Sequence, residues 1–179
     1  MTASGSVRSM RAVGFDPGLA DTGYAALEST GAAVAVLGSG VIRTSPTAAL
    51  EARLEAIYDE TIRAIEHFQP DLVVIEDVFS ASSAPRAAIL MGHARAVICL
   101  AARRGGARIT SLAPAEVKRA VTLSGAASKH QVARGMQALL GLSGPPQPSH
   151  VADALALAFT GLARARRPGV VIPPGGRVP

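Results

Sequence analysis

Two segments of the chain end in an acidic residue directly after an apolar, strand-like run. Asp16 follows Val-Gly-Phe and precedes Pro17-Gly18, and Glu76 follows Val-Val-Ile. Ligands of open α/β sheets gather at the carboxyl ends of the strands. If the two strands are parallel neighbours, the two carboxylates lie side by side and their repulsion favours a bound cation. Each acid alone has a plainer interpretation, as turn chemistry for Asp16 and as a solvated strand end for Glu76.

A third group of polar side chains stands at the start of the last predicted helix. His150 and Asp153 are three residues apart, so a helix projects both from one face. Either residue alone is more often a helix cap or a surface residue. With Asp16 and Glu76, however, they complete three carboxylates and an imidazole, a reasonable ligand set for two divalent ions. Such ions hydrolyse phosphodiesters by activating water and stabilising the leaving oxygen.

The elements that position these residues begin with three short strands, predicted at 11–16, 22–28 and 33–42 with a turn at 29–31. Their close spacing indicates an antiparallel meander. A helical period follows, carried by Leu50, Leu54, Ile57, Thr61, Ile65 and Phe68. Ser45-Pro46 suits the start of that helix and Gln69-Pro70 its end.

The second half of the chain alternates strands and helices. The run at 72–76 is typical of a buried parallel strand, and a further strand is predicted at 107–110. Four helices are predicted, at about 84–104, from Pro114, after a capping box at Ser128 to Gln131, and from Ser149 to about Arg164. The order β-β-β-α-β-α-β-α-α-α predicts an α/β fold, with one mixed sheet and helices on its faces.

Composition bounds the class of protein. A chain of 179 residues with 49% apolar residues forms one ordinary domain, predicted over 11–165. The flanking segments 1–10 and 166–179 are predicted to be a disordered lead-in and tail.

The net charge of +5 points to an anionic partner. Cys99 is the single cysteine, so an intramolecular disulfide is excluded. With no signal peptide or membrane span in the pattern, we expect a cytoplasmic protein.

Five blocks of the sequence together resemble RuvC-type Holliday-junction resolvases. The resemblance runs in order from about residue 11 to residue 164. The blocks are Phe15-Asp16-Pro17-Gly18 with Thr22-Gly23-Tyr24, Gly38-Ser39-Gly40-Val41-Ile42-Arg43-Thr44, Ile75-Glu76-Asp77-Val78-Phe79, Ser128-Lys129-His130-Gln131-Val132 and Ala152-Asp153-Ala154-Leu155-Ala156.

The resemblance implies an RNase H-like fold, with a mixed five-stranded sheet whose first three strands form the meander. It implies a homodimer that cuts four-way DNA junctions in recombination and repair by symmetric nicking. Its four catalytic and metal-binding positions fall on Asp16, Glu76, His150 and Asp153. Many members have aspartate where this chain has His150. Two divalent ions, Mg²⁺ or Mn²⁺, are implied for each active site, as are a location at the nucleoid and a branch-migration helicase complex as a further partner.

Three more residues match DNA-binding positions of the family. Phe79 follows Glu76 at a loop mouth and is implied to stack on bases near the crossover; packing on the core is the alternative. Normal junction binding and cutting by Phe79→Ala would favour the core. Lys118 and Lys129 match basic positions close to the active site. A lysine in the first turn of a helix, as at Lys129, opposes the helix dipole, which favours a functional reason for it.

Other functions remain open from the sequence. An RNase H-like nuclease acting on RNA or on an RNA–DNA hybrid would use the same acids and metals. A junction-binding module without catalysis is a third interpretation, although the presence of all four ligand positions argues against it. The actin and sugar-kinase ATPases also carry an Asp-x-Gly turn after a first strand, but they need two such domains around the nucleotide, and this chain has length for one.

Overall fold

The computed structural model describes residues 9–77 and 85–166. The strands in this part of the chain are β1 (Met10–Asp16), β2 (Asp21–Thr30), β3 (Ala33–Arg43), β4 (Leu72–Glu76) and β5 (Arg108–Leu112). The helices are α1 (Leu50–Phe68), α2 (Pro85–Arg104), α3 (Pro114–Thr122), α4 (Lys129–Leu140) and α5 (Ser149–Ala165). The predicted order of elements is confirmed. No helix of the described ranges is long and apolar enough to cross a membrane.

The five strands form one mixed sheet in the order β3-β2-β1-β4-β5. The first three strands are antiparallel, whereas β1 pairs with β4, and β4 with β5, in parallel. The meander and the parallel strand at 72–76 are therefore confirmed. Because Phe15 pairs with Ile75, the next residue of each strand, Asp16 and Glu76, reaches the same edge of the sheet.

Helices cover both faces of the sheet, and each face has its own core. Leu72 and Val74 of β4 belong to the core formed with α3, α4 and α5, whereas Val73 and Ile75 belong to the core formed with α1 and α2. All four side chains are fully buried. A strand that is covered on both faces has no polar side to show, which explains its uninterrupted apolar sequence.

The last helix lies directly against the first two strands because glycine faces it there. A Cβ built on Gly14 would stand 2.2 Å from the carbonyl oxygen of Ala154 and 2.7 Å from the backbone nitrogen of Ala158. A Cβ on Gly23 would stand 2.2 Å from the carbonyl oxygen of His150. The backbones of β1 and β2 therefore touch the backbone of α5, and its first turn comes to the sheet edge that carries Asp16.

One helix start predicted from the sequence is wrong. Helix α1 begins at Leu50, and Ser45 instead caps a turn, accepting a hydrogen bond from the Thr47 amide at 3.3 Å. The residue before it, Thr44, is held by the loop after β1, since its amide donates to the Ala20 carbonyl at 3.0 Å. The chain must turn away from this attachment before a helix can begin, and Ser-Pro serves that turn.

The other helix signals are confirmed. Ser128 and Gln131 form the reciprocal capping box of α4, Pro114 occupies the first turn of α3, and Gln69 ends α1 in a left-handed conformation. The strand predicted at 107–110 is placed one to two residues later, at Arg108–Leu112.

The proposed lead-in is one residue too long, because Met10 is the first residue of β1 and pairs with Ser29. The remaining lead-in and tail, residues 1–8 and 167–179, lie outside the described residues, and their disorder stays a prediction.

We expect Gly14→Ala to lower the free energy of unfolding by about 1–3 kcal/mol or more, because the new methyl group must push β1 and α5 apart. The matched control is Gly92→Ala in α2, where an added Cβ meets nothing within 4 Å. That substitution should be neutral or stabilising by about 0.5–1 kcal/mol through helix propensity. Urea unfolding of both variants measures the difference. Equal stability of the two variants would contradict the close contact between α5 and β1.

Candidate active site

Asp16 and Glu76 occupy adjacent strand ends at one edge of the sheet. The Asp16 side chain is only 13% exposed. Burial and the neighbouring charges of Asp16 and Asp153 raise the pKa of Glu76 to about 7. A bound cation would compensate both effects, because it offers the buried carboxylates an opposite charge in place of water.

His150 reaches this edge from the first turn of α5. Its Nδ1 lies 2.8 Å from Oδ2 of Asp16, as expected if the Nδ1–H donates to the carboxylate. Burial nevertheless dominates, and the pKa of Asp16 is raised above its ordinary value despite this hydrogen bond. The contact at Gly23 fixes the backbone of His150 and so fixes where the imidazole begins.

Asp153 follows one helical turn later and faces the same cluster. Its charge raises the pKa of both Asp16 and Glu76, so the three acids share one electrostatic environment. Its Oδ2 lies 3.1 Å from Nζ of Lys129, which stands at the start of α4. The charge of Asp153 is the largest cause of the raised pKa of Lys129. This pair offsets the unfavourable position of a lysine at a helix N-terminus.

Lys118 approaches the cluster from α3. Its charge, like that of Lys129, lowers the pKa of Glu76. Both lysines therefore act electrostatically on Glu76, and their contact with DNA stays a prediction. Phe79 lies outside the described residues.

The donor set fits divalent metal ions in chemistry and in charge. Three carboxylates and one imidazole suit Mg²⁺ or Mn²⁺, and a cation would stabilise the carboxylates whose pKa values burial, and then the neighbouring acids, raise. Within residues 9–77 and 85–166, no three histidine, cysteine or acidic side chains already converge as a metal-binding group. To bind metal, Asp16 and Asp153 would exchange their contacts with His150 and Lys129 for metal bonds.

Comparison of the chain with known proteins identifies its family. A family model described as crossover junction endodeoxyribonuclease RuvC matches residues 12–161. The chain belongs to the RuvC family. The RuvC protein of Rhodopirellula baltica is 38% identical over 156 residues, covering 87% of this chain and 88% of that protein. The RuvC protein of Sorangium cellulosum is 40% identical over 170 residues, covering 95% of this chain and 94% of that one.

Solved RuvC structures share the fold. Thermus thermophilus RuvC in complex with a Holliday junction substrate superposes with a TM-score of 0.81 at 31% identity, covering 88% of this chain and 95% of that one. A second T. thermophilus RuvC structure gives a TM-score of 0.80 at 32% identity, with 88% and 96% covered. The predicted RNase H-like fold is thereby confirmed, and with it an endonuclease class whose members depend on metal ions.

Arg95 is a residue of this RuvC-family site whose place the sequence did not reveal. From the middle of α2 its guanidinium donates to the Ser111 hydroxyl at 2.6 Å and to the carbonyl of Glu76 at 3.3 Å, and it pairs with Asp77 at 3.5 Å. It thus ties the ends of β4 and β5 together where Glu76 leaves the sheet. The available signal was an arginine in the interior of the helix, away from the arginines of its first and last turns.

Thr22 is a second such residue. Its buried hydroxyl donates to the carbonyl of Gly18 at 2.6 Å and accepts from the Gly18 amide at 3.3 Å. The turn after Asp16 is therefore fastened to the start of β2. In the Thr22-Gly23 pair of the family pattern, Thr22 therefore holds the turn, and Gly23 leaves room for the close approach of α5.

We expect Asp16→Asn to lower the pKa of Glu76 below about 7, because it removes the largest neighbouring charge that raises it. Burial, the main cause, remains, so this pKa should stay above the ordinary 4.5. NMR titration of the glutamate carboxyl carbons in metal-free protein measures the change. Asp21→Asn, which removes an acid paired with Arg43 on β2 and β3, is the control and should leave the pKa of Glu76 unchanged. A Glu76 pKa indifferent to Asp16→Asn would contradict the shared cluster.

Proposed function

We propose that this RuvC-family protein resolves Holliday junctions, as a structure-selective endodeoxyribonuclease that nicks opposing strands in recombination and DNA repair. The observation that carries the proposal is the mutual electrostatic influence of Asp16, Glu76 and Asp153 at one end of the sheet, where His150 contacts Asp16. The match across residues 12–161 and the likeness to a RuvC structure bound to a junction substrate support it.

In this proposal Asp16, Glu76, His150 and Asp153 would hold two divalent ions, Mg²⁺ or Mn²⁺. When bound, such a pair activates the attacking water and stabilises the leaving oxygen of the phosphodiester. The chain itself supplies the remaining requirements. Gly23 and α5 fix the imidazole of His150, and Arg95 fixes the strand end that bears Glu76. Lys129, released from its contact with Asp153, would offset charge on the phosphate in the transition state.

Contacts with the junction extend outward from the acidic cluster. Lys118 and Lys129 would bind phosphates flanking the cut, since both act electrostatically on Glu76. Phe79 would stack on bases near the crossover, a contact that tolerates any sequence because every base has a flat apolar face.

A homodimer suits the proposed substrate. A four-way junction has approximate two-fold symmetry, so a two-fold protein presents one active site to each of two opposing strands. We also propose a branch-migration helicase complex as a partner and a place of action at the nucleoid in the cytoplasm, because both follow from a chromosomal junction as substrate.

Cleavage of a labelled mobile four-way junction tests the function, run beside linear duplex and an RNA–DNA hybrid with Mg²⁺, Mn²⁺ or EDTA. We expect paired symmetric nicks in the junction alone. EDTA should abolish them, and Asp16→Asn should lower the rate at least roughly 100-fold by removing charge that stabilises the transition state. Asp21→Asn serves as the matched acid control. Cutting of the hybrid would make the protein an RNase H-like nuclease of another class, and binding without cutting would leave a junction-recognition module.

We expect His150→Asp to lower the ratio of Mn²⁺-supported to Mg²⁺-supported cleavage, because imidazole suits Mn²⁺ whereas Mg²⁺ prefers oxygen ligands. The position is sensitive because His150 Nδ1 lies 2.8 Å from Asp16. Single-turnover rates in each metal give the ratio, and His130→Asp, at an exposed position of α4, controls for added charge. An unchanged ratio would remove His150 from the metal site.

A further inference from the structure

The loop between α3 and α4 carries an unusual leucine. Leu123 is 90% exposed, the largest exposure among the large apolar side chains of the described residues. Its backbone is left-handed, with φ of +65°. A single exposed leucine is ordinary on a protein surface, but an exposed leucine that also holds this backbone conformation is not.

The left-handed conformation brings a branched side chain into conflict with its own backbone, which is why glycine usually ends a helix this way. Because the side chain of Leu123 is exposed, no burial of apolar surface offsets this conflict. Gln69 is the other non-glycine residue with positive φ in the described ranges, and it ends α1 with a polar side chain. Backbone strain that no packing contact offsets is concentrated at functional sites of proteins.

The loop holds Leu123 outward on a stiff support. The hydroxyl of Thr122 donates to the carbonyl of Lys118 at 2.8 Å and to that of Ser124 at 3.1 Å. Val121 and Ala127 anchor the two sides of the loop in the core. A side chain presented in this way loses little freedom when it meets a partner, which strengthens binding.

The position of the loop identifies its partner. It joins the helix of Lys118 to the helix of Lys129, and both lysines act on Glu76. Residues 122–129 contain no acidic side chain, so the whole segment is compatible with a polyanion. In the proposed complex, a DNA strand whose phosphate lies at the acidic cluster would run beside Lys118 and Lys129, and so beside the loop that joins their helices.

We infer that Leu123 is a DNA-binding residue, packing its side chain against the deoxyribose and base edges of the junction arm beside the cut phosphate. This inference rests on the proposed function. Leucine is among the side chains that proteins insert into the minor groove, where apolar contact with sugars and base steps needs no charge. The lysines then attract the phosphates, and Leu123 fixes how closely the arm approaches the active site.

The test compares Leu123→Gly, Leu123→Asn and Leu123→Met with Gln69→Gly as a control for relief of strain alone. Anisotropy of a labelled junction in metal-free buffer gives Kd at several salt concentrations, thermal unfolding gives Tm, and light scattering gives the oligomeric state. Glycine and asparagine both tolerate the left-handed backbone but lack the apolar side chain, whereas methionine retains one.

We expect Leu123→Gly and Leu123→Asn to weaken Kd about tenfold, as loss of a buried leucine contact does, while Leu123→Met stays near wild type. The slope of log Kd against log salt should not change, because leucine releases no counterion, whereas Lys118→Ala should reduce it by about one. Both Leu123→Gly and Gln69→Gly should raise Tm by about 2–4 °C, but Gln69→Gly should leave Kd unchanged.

Wild-type Kd in Leu123→Gly would overturn the inference, and so would a change of oligomeric state, which would assign Leu123 to a contact between copies of the chain. Because Kd is measured without metal, the test of Leu123 does not depend on the outcome of the cleavage assay. A wild-type protein that binds junctions without cutting them would contradict the proposed function and leave the role of Leu123 to be read from the same titration.

Discussion

The backbone contact between α5 and the first two strands is the constraint on which the site depends. Gly14 and Gly23 leave no side chain between the layers, so the helix lies as close to the sheet as backbone atoms allow. Side chains as short as Asp16 and those of the first turn of α5 can then reach one another. A larger residue at either glycine would widen the gap by about the size of a methyl group, which is comparable to the reach of an aspartate.

Once the layers are this close, the electrostatics of the site follow. Acidic side chains at adjoining strand ends and on the facing helix cannot all be hydrated, and burial is the largest cause of the raised pKa values of Asp16 and Glu76. His150 and Lys129 compensate part of this cost in the metal-free protein. The same partners that stabilise the fold without metal would therefore compete with metal for the acids, which couples metal binding to rearrangement of two side-chain contacts.

Much of the fold was predictable because its signals are local. The uninterrupted apolar run of β4, the capping box at Ser128 and the period of α1 each depend on neighbours in the chain. The neighbouring positions of Asp16 and Glu76 were predicted because each ends a strand, although each residue alone had a plainer explanation. The failures depend on distant partners: Thr44 delays the start of α1 through a loop far back in the sequence, and Arg95 acquires its place only when β4 and β5 come together. The backbone of Leu123 has no sequence signal at all, since leucine predicts no left-handed conformation.

The hydrogen bond between Asp16 and His150 joins residues 134 positions apart, from the first strand to the last helix. Nearly the whole domain must therefore be synthesised before the site can assemble, and closing so long a separation in sequence carries a large loop-closure entropy. A chain that ends before α5 lacks one wall of its core together with His150 and Asp153, two of the four residues proposed to bind metal, so stability and the proposed metal site are lost together.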